Sequence, residues 1–296
     1  MIDDRSVLVV HGGAGVSDDH DYTRPAEFLR ELLADAGRAL AHGRAALDLV
    51  VDAVAAMEES GLYTAGRGSS PNAAGEVELD ASLMNGPDRA AGAVAAVRNV
   101  VNPIRLARAV MERTPHVMLA GVGAEAFADR EGLARIADPE GYYRPAVELT
   151  RRAAAAGATG PLAHGTVGAV ALDRDGRLAA ATSTGGTLDK MQGRVGDTPL
   201  VAAATWADDR VAVSCTGQGE YFIRTATAHT VAARMAYAGD ALERAAASAM
   251  EAVAALGGDG GLIAVDRDGN VALPFNSGGM KRGVVRVGMA PEVAVR

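Results

Sequence analysis

The sequence predicts an α+β protein in which sheets are stacked between helices. Three observations predict it. Short apolar or alternating runs recur along the chain, as at 6–10, 77–84, 91–97 and 167–172. Helical patterns come in groups of two, one group before residue 60 and another after residue 220. Asp-Arg-Asp-Gly occurs twice between apolar runs, at 173–176 and 266–269, and each copy marks a β-hairpin.

Taken in order, residues 6–10 read as a buried strand closed by a tight glycine turn, His11-Gly12-Gly13-Ala14-Gly15. The turn lacks the Lys-Ser/Thr ending of a P-loop, and His11 reads as structural. Pro25 suits the first turn of a helix whose apolar face carries Phe28, Leu29, Leu32, Leu33, Ala36 and Leu40. A second helix spans about 45–59. The glycine-rich stretch 62–75 is a loop. Strands follow at 77–84 and 91–97, a helix opens at Pro103, a strand covers 117–122, and a short helix covers 125–136. Residues 148–156 end in four alanines, and Gly157-Ala158-Thr159-Gly160-Pro161 breaks regular structure, so a mobile lead-in is expected there. The second half is denser in strands: 167–172 with 178–182, then 200–206 and 210–215, then 262–265 with 271–274. Helices are expected at 221–235 and 241–256.

Composition bounds the answer. The chain has 296 residues, 49% hydrophobic and 22% charged, which suits one sizeable globular core. No shift in composition marks a domain boundary. A net charge of −8 opposes non-specific nucleic-acid binding. The single cysteine, Cys215, excludes an intrachain disulfide and fits a reducing compartment. The acidic start, Met1-Ile2-Asp3-Asp4, is no signal peptide, and no apolar stretch reaches the roughly 18 residues of a membrane helix. A soluble cytoplasmic protein, without membrane or nucleic-acid partners, is expected.

The chemistry gathers in four places. Gly165-Thr166 opens a buried strand after a flexible lead-in. A chain that cut itself there would give Thr166 a free amine, able to act as base for its own hydroxyl. The same dipeptide also suits a plain turn before a strand. Thr182-Ser183-Thr184-Gly185-Gly186-Thr187 places four hydroxyls at a strand exit. Gly193-Arg194-Val195-Gly196-Asp197-Thr198-Pro199 sets an arginine and an aspartate three apart in a glycine loop. Ser214-Cys215-Thr216-Gly217-Gln218-Gly219-Glu220 is a second strand exit. Each alone also reads as a solvated turn. Together they supply a carboxylate clamp in Arg194, an ammonium partner in Asp197, an oxyanion hole in Thr216-Gly217, and in Thr184 a hydrogen-bond partner for Thr166. No Gly-x-Ser-x-Gly elbow, His-Glu-x-x-His or Cys/His ligand spacing is present.

The stretches 164–173, 180–186, 193–200, 214–220 and 262–275, with Val10-His11-Gly12-Gly13-Ala14-Gly15 and Glu78-Leu79-Asp80-Ala81, resemble the plant-type L-asparaginase/isoaspartyl peptidase family of N-terminal nucleophile hydrolases. The resemblance covers nearly the whole chain. It implies a four-layer αββα sandwich made as an inactive precursor. This single domain is expected to cut itself between Gly165 and Thr166, giving an α subunit of 1–165 and a β subunit of 166–296; two such αβ units pair as a homodimer. Carried over motif by motif, Thr166 is the nucleophile, Thr184 supports its hydroxyl, and Thr216 and Gly217 serve the oxyanion. Arg194 takes the substrate α-carboxylate, Asp197 the α-ammonium, and Gly219 lines the pocket. The implied substrates are β-aspartyl dipeptides and L-asparagine, with no cofactor required.

The chain departs from the family pattern in three places. Thr64 stands where many relatives carry Asn lining the site. Gln218 replaces a smaller residue of some relatives and is expected to narrow or re-aim the pocket. The segment before Thr166 is short. The loop 58–67, which begins at Glu58 and ends at Arg67, resembles the family's sodium-holding loop, built mainly from backbone carbonyls. Two rival readings are a glycosylasparaginase-like activity and a non-cleaving small-molecule binding module of the same fold.

Overall fold

The computed structural model of the chain describes residues 5–18, 20–144 and 165–296. The alanine-rich stretch 148–156 and the expected mobile lead-in at 157–161 lie outside the described residues. Among the described residues there are two sheets and helices packed on each, an α+β architecture.

The chain opens with strand β1 (Val7–Ala14), followed by helices α1 (Thr23–Ala41) and α2 (Ala46–Ser60). Strands β2 (Leu79–Asn85) and β3 (Ala91–Val97), helix α3 (Pro103–Arg113), strand β4 (Met118–Ala120) and helices α4 (Gly121–Arg130) and α5 (Pro139–Tyr142) complete the first half. After Thr166 come β5 (Val167–Leu172), β6 (Leu178–Thr184), β7 (Thr205–Ala207) and β8 (Val211–Gly217). Helices α6 (Gly219–Thr225), α7 (Thr227–Ala233) and α8 (Leu242–Ala255) follow, then β9 (Gly260–Asp266), β10 (Val271–Ala272), β11 (Met280–Arg286) and β12 (Glu292–Ala294). The larger sheet has the order β12-β11-β1-β5-β6-β2-β3-β4, and the smaller β10-β9-β8-β7. Every pairing is antiparallel except β3 with β4.

Strand periodicity explains how both faces of the central strands are buried. Leu8 and Val10 of β1 join the core under α1 and α2, whereas Val7 and Val9 join a core shared with the smaller sheet. On β8, Val211, Val213 and Cys215 face the core under α6 to α8, while Ala212 faces the larger sheet. Fully buried Leu8, Leu29 and Leu83 each stabilise the fold by about 2–5 kcal/mol relative to alanine.

The two Asp-Arg-Asp-Gly turns fold as expected, and the first aspartate of each explains why. The Asp173 carboxylate accepts the N–H groups of Asp175 and Arg177 at 3.0 Å. It also accepts the Ala46 N–H at 3.0 Å, capping the start of α2. Asp266 does the same local work for Asp268 and Asn270, each at 2.9 Å. Gly176 and Gly269, at φ of +76° and +80°, take the left-handed position each turn needs.

Several elements differ from expectation. His11 to Ala14 is not a turn but the end of β1, with a register shift against β11 between His11 and Ala14. The expected strand 200–206 shrinks to β7, because the chain turns back through Ala202 at φ +82°. The expected helix 221–235 is two helices, broken at Ala226 in the left-handed region at φ +45°. The expected strand 117–122 keeps only β4, an edge strand, and the chain turns helical at Gly121. Strands β11 and β12 and helix α5 were not expected from the sequence.

Candidate active site

The β5–β6 hairpin brings Thr166 and Thr184 together. Val167 pairs with Ser183 in this antiparallel ladder, so Thr166 and Thr184 are neighbours at its open end. Both are buried, 6% and 4% exposed. The Thr166 hydroxyl donates to the Thr184 hydroxyl at 3.3 Å. Thr184 donates its own proton to the Gly165 carbonyl at 2.8 Å and accepts the Gly186 N–H at 3.0 Å. One hydroxyl therefore touches both the candidate nucleophile and the carbonyl it would attack.

Only a glycine fits at 165, since a Cβ there would lie 2.2 Å from the Thr64 hydroxyl oxygen. Thr64 thus abuts the Gly165-Thr166 bond. Gly13 closes on the same bond from β1: at φ +99° its own Cβ position falls 3.3 Å from Gly165 Cα and from Thr166 N. His11, two residues earlier, is fully buried, with Nδ1 3.1 Å from the Thr166 carbonyl and Nε2 2.9 Å from the Ser214 hydroxyl. Burial pushes its pKa down to about 3, so it stands neutral at pH 7. The sequence marked His11 and its glycines only as structural punctuation. Their partner lies 155 residues away, and the one local signal was a paired glycine ending a strand.

Gly165, Thr166, Thr184, Gly186, Thr187, Arg194, Gly196, Asp197 and Gly217 line one small cleft. Arg194 meets Glu220 through a two-pronged ion pair, Nε and Nη2 each 2.9 Å from a carboxylate oxygen. That fixes one edge of the guanidinium and leaves the Nη1 side toward Gly196, where a Cβ would lie 2.9 Å away. Glu220 carries no signal of this role in the sequence, because the fork it completes spans 26 residues. The arginine's loop is braced from below. Both Glu78 carboxylate oxygens accept the Gly193 N–H at 3.1 Å, and buried Lys190 donates to the Glu78 carbonyl at 3.1 Å. Asp80, also buried, has its pKa raised to about 6 by desolvation, partly offset by Lys190.

Asp197 is 4% exposed, and its Oδ2 has no hydrogen-bond partner among the described residues. Desolvation raises its pKa to about 7, against the pull of Arg194. A buried, unpartnered carboxylate oxygen lining a cleft has capacity to accept a hydrogen bond from a ligand. Gly219 sits behind it, where a Cβ would meet Asp197 Oδ1 at 2.8 Å. Thr216 accepts the Ala14 N–H at 3.2 Å, which leaves its hydroxyl proton to give. Gly217, at φ +155°, passes so close to the Asp259 carbonyl (2.4 Å from a Cβ) that no side chain fits.

Gln218 turns from the cleft: its Oε1 accepts the Asp259 N–H at 3.3 Å. In the loop 58–67 the Glu58 carboxyl is fully engaged by Ser183 at 2.6 Å, Ile104 N–H at 3.0 Å and Asn102 at 3.2 Å. Among the described residues no group of three or more His, Cys, Asp or Glu side chains is placed to hold a metal ion.

A buried threonine hydroxyl, a glycine carbonyl that accepts a hydroxyl proton, and an arginine and an aspartate in the same cleft suit an amide hydrolase. The family model described as asparaginase matches residues 4–295, and the chain belongs to that family. An isoaspartyl peptidase of Salmonella typhimurium is 46% identical, with 98% of each chain covered. That of Escherichia coli is 44% identical, covering 98% of this chain and 96% of its own. An isoaspartyl peptidase/L-asparaginase of Mus musculus is 41% identical, covering 97% of this chain and 90% of its own. Among the described residues no helix is long and apolar enough to cross a membrane.

Proposed function

We propose that the protein is a self-processing amidohydrolase acting on β-aspartyl dipeptides and the side-chain amide of L-asparagine. The observation that carries this reading is the Thr166 hydroxyl beside Thr184 in the cleft that also holds Arg194 and Asp197. The names of the relatives point the same way.

In the precursor the Thr166 hydroxyl attacks the Gly165 carbonyl carbon. The new C–O bond forms, the C–N bond breaks, and the released amine takes the proton. Thr184, already donating to that carbonyl oxygen, stabilises the charge that develops there. Water then hydrolyses the ester, yielding chains 1–165 and 166–296. The free Thr166 amine is now the base for its own hydroxyl. Arg194 holds the substrate α-carboxylate and Asp197 the α-ammonium. The hydroxyl attacks the β-carbonyl, and Thr216 and Gly217 receive the oxyanion. The leaving amine, ammonia or an amino acid, takes the proton, and water cleaves the β-aspartyl ester. Gly219 keeps room beside Asp197, and Thr64 lines the site left by Gly165.

The finer architecture in this reading is a four-layer αββα sandwich, supported by cores on both faces of each sheet. Two αβ units pair as a homodimer in the cytoplasm. A structural sodium, if held, rests on main-chain carbonyls of the 58–67 loop, and no chemical step runs through it. The test is aspartate release from a β-aspartyl dipeptide and from L-asparagine, present in the wild type and absent in Thr166→Ala. Wild-type protein that releases none from either sinks the reading.

A further inference from the structure

The two sheets meet over a chain of buried hydroxyls that the proposed reaction does not use. Ser82 on β2, Thr205 on β7, Thr182 on β6 and Ser214 on β8 are all fully buried. Ser82 lies 2.8 Å from Thr205, Thr205 2.6 Å from Thr182, and Thr182 2.8 Å from Ser214. Ser214 lies 2.9 Å from His11 Nε2. One end of the chain is His11 Nδ1 against the Thr166 carbonyl at 3.1 Å. The other is Ser82 against the Thr198 carbonyl at 2.5 Å. Thr198 directly follows Asp197. Gly168 keeps the middle open, since a Cβ there would lie 2.0 Å from the Ser214 oxygen and 2.3 Å from His11 Nε2.

The protons can be counted. There are six contacts, and the carbonyls at both ends can only accept. Four hydroxyls and a neutral imidazole bring five protons. A sixth would need an imidazolium, which full burial opposes. An empty contact inside the chain would set two oxygen lone pairs against each other at 2.6–2.8 Å, so the shortage falls at an end: with the ring proton on Nδ1, His11 donates to Thr166, each hydroxyl donates toward His11, and Ser82 gives nothing to Thr198. With it on Nε2, every donor reverses. Ser82 then serves Thr198, and the Thr166 carbonyl faces a bare ring nitrogen.

We propose that this chain couples the ammonium-binding loop to the nucleophile: the carbonyls of Thr166 and Thr198 compete for one proton. His11, Ser214, Thr182, Thr205 and Ser82 are positioning residues for Thr166. The proposal rests on the roles given above to Thr166 and Asp197. A ligand that draws on Asp197 shifts the Thr198 carbonyl, and the shortage is passed along the hydroxyls to the strand that carries the nucleophile.

Thr205→Val removes the middle oxygen and relieves the shortage. Ser82 then serves Thr198, and Thr182 and Ser214 run to Nε2, leaving the ring proton for Thr166. Nitrogen-15 NMR of histidine-labelled protein reads the His11 tautomer directly. In the wild type the two ring nitrogens are expected at averaged positions, both tautomers being populated. Thr205→Val shows Nδ1–H alone, Ser82→Ala does the same, and Thr205→Ser restores the mixture. Added L-aspartate moves the wild-type His11 signals and leaves those of Thr205→Val in place. A wild-type His11 in one fixed tautomer, unchanged by Thr205→Val and Ser82→Ala, overturns the proposal. If aspartate fails to bind, the substrate reading fails, and the ligand-free tautomer still decides the coupling.

Discussion

The Thr166 hydroxyl reaches the Thr184 hydroxyl at 3.3 Å, and Thr184 spends its single proton on the Gly165 carbonyl at 2.8 Å. In the proposed reaction Thr184 polarises the Gly165 carbonyl during cleavage and supports the Thr166 hydroxyl afterwards. Thr184→Val removes both contacts at little cost in volume. Self-cleavage is expected to slow by about 10²–10³-fold, the usual effect of losing one donor to a developing oxyanion. A time course of intact mass measures it; cleavage at the parent rate would remove Thr184 from the step.

Gly165→Ala places a Cβ against Thr64, 2.2 Å from its hydroxyl oxygen and 2.4 Å from its Cβ. The carbonyl must swing off Thr184, so cleavage is expected to fall by about 10²-fold or more. The double variant Gly165→Ala/Thr64→Gly reopens the space and recovers part of the rate. Equal rates in the single and double variants would show that Thr64 does not set the requirement.

Arg194→Ala is expected to keep self-cleavage, which involves no free α-carboxylate, and to lose about 10²–10³-fold in kcat/KM on a β-aspartyl dipeptide, the worth of one or two charge-assisted hydrogen bonds. Glu220→Gln acts more gently, because Glu220 is 59% exposed. It loosens one edge of the guanidinium, and KM is expected to rise about 2- to 5-fold with kcat nearly unchanged. Steady-state kinetics on both variants separates holding the substrate from holding the arginine.

Asp197 gives a pH dependence with a definite sign. Burial raises its pKa from 3.8 to about 7, so the free protein holds it largely neutral below that pH. An ammonium needs the ionised form, so kcat/KM is expected to rise as pH climbs through about 7. Stability runs the other way. The folded state binds this proton more tightly than the unfolded chain, so its contribution is full below the unfolded value and is lost as pH rises through about 7. Asp197→Asn should flatten that loss in thermal melts while depressing hydrolysis at every pH. Melts of wild type and variant that stay parallel from pH 5 to 8 would contradict the assignment.

Local chemistry was legible in the sequence, and long-range pairing was not. The β5–β6 hairpin could be read because Asp173 and Gly176 build their turn within a few residues. The motif loops carry Thr166, Thr184, Arg194, Asp197 and Gly217, which line one cleft. Strand β11 escaped notice because Lys281, Arg282 and Arg286 interrupt its apolar pattern, although β1 depends on it for pairing. The break at Ala226 gave no signal, since alanine is a good helix former and nothing nearby in sequence announces a positive φ. Gln218, expected to reshape the pocket, is instead held by Asp259, 41 residues on. His11 and Glu220 belong to the site through partners that no spacing rule connects.

In the proposed reaction the Gly165–Thr166 bond is cut, and the cut creates the catalytic amine. Intact mass spectrometry of freshly purified and incubated protein, with N-terminal sequencing, tests it most directly. The wild type should yield two chains, the second beginning at Thr166, and Thr166→Ala should remain a single chain of 296 residues. A wild-type chain that stays whole after long incubation, or is cut at any other bond, would exclude self-processing at Thr166.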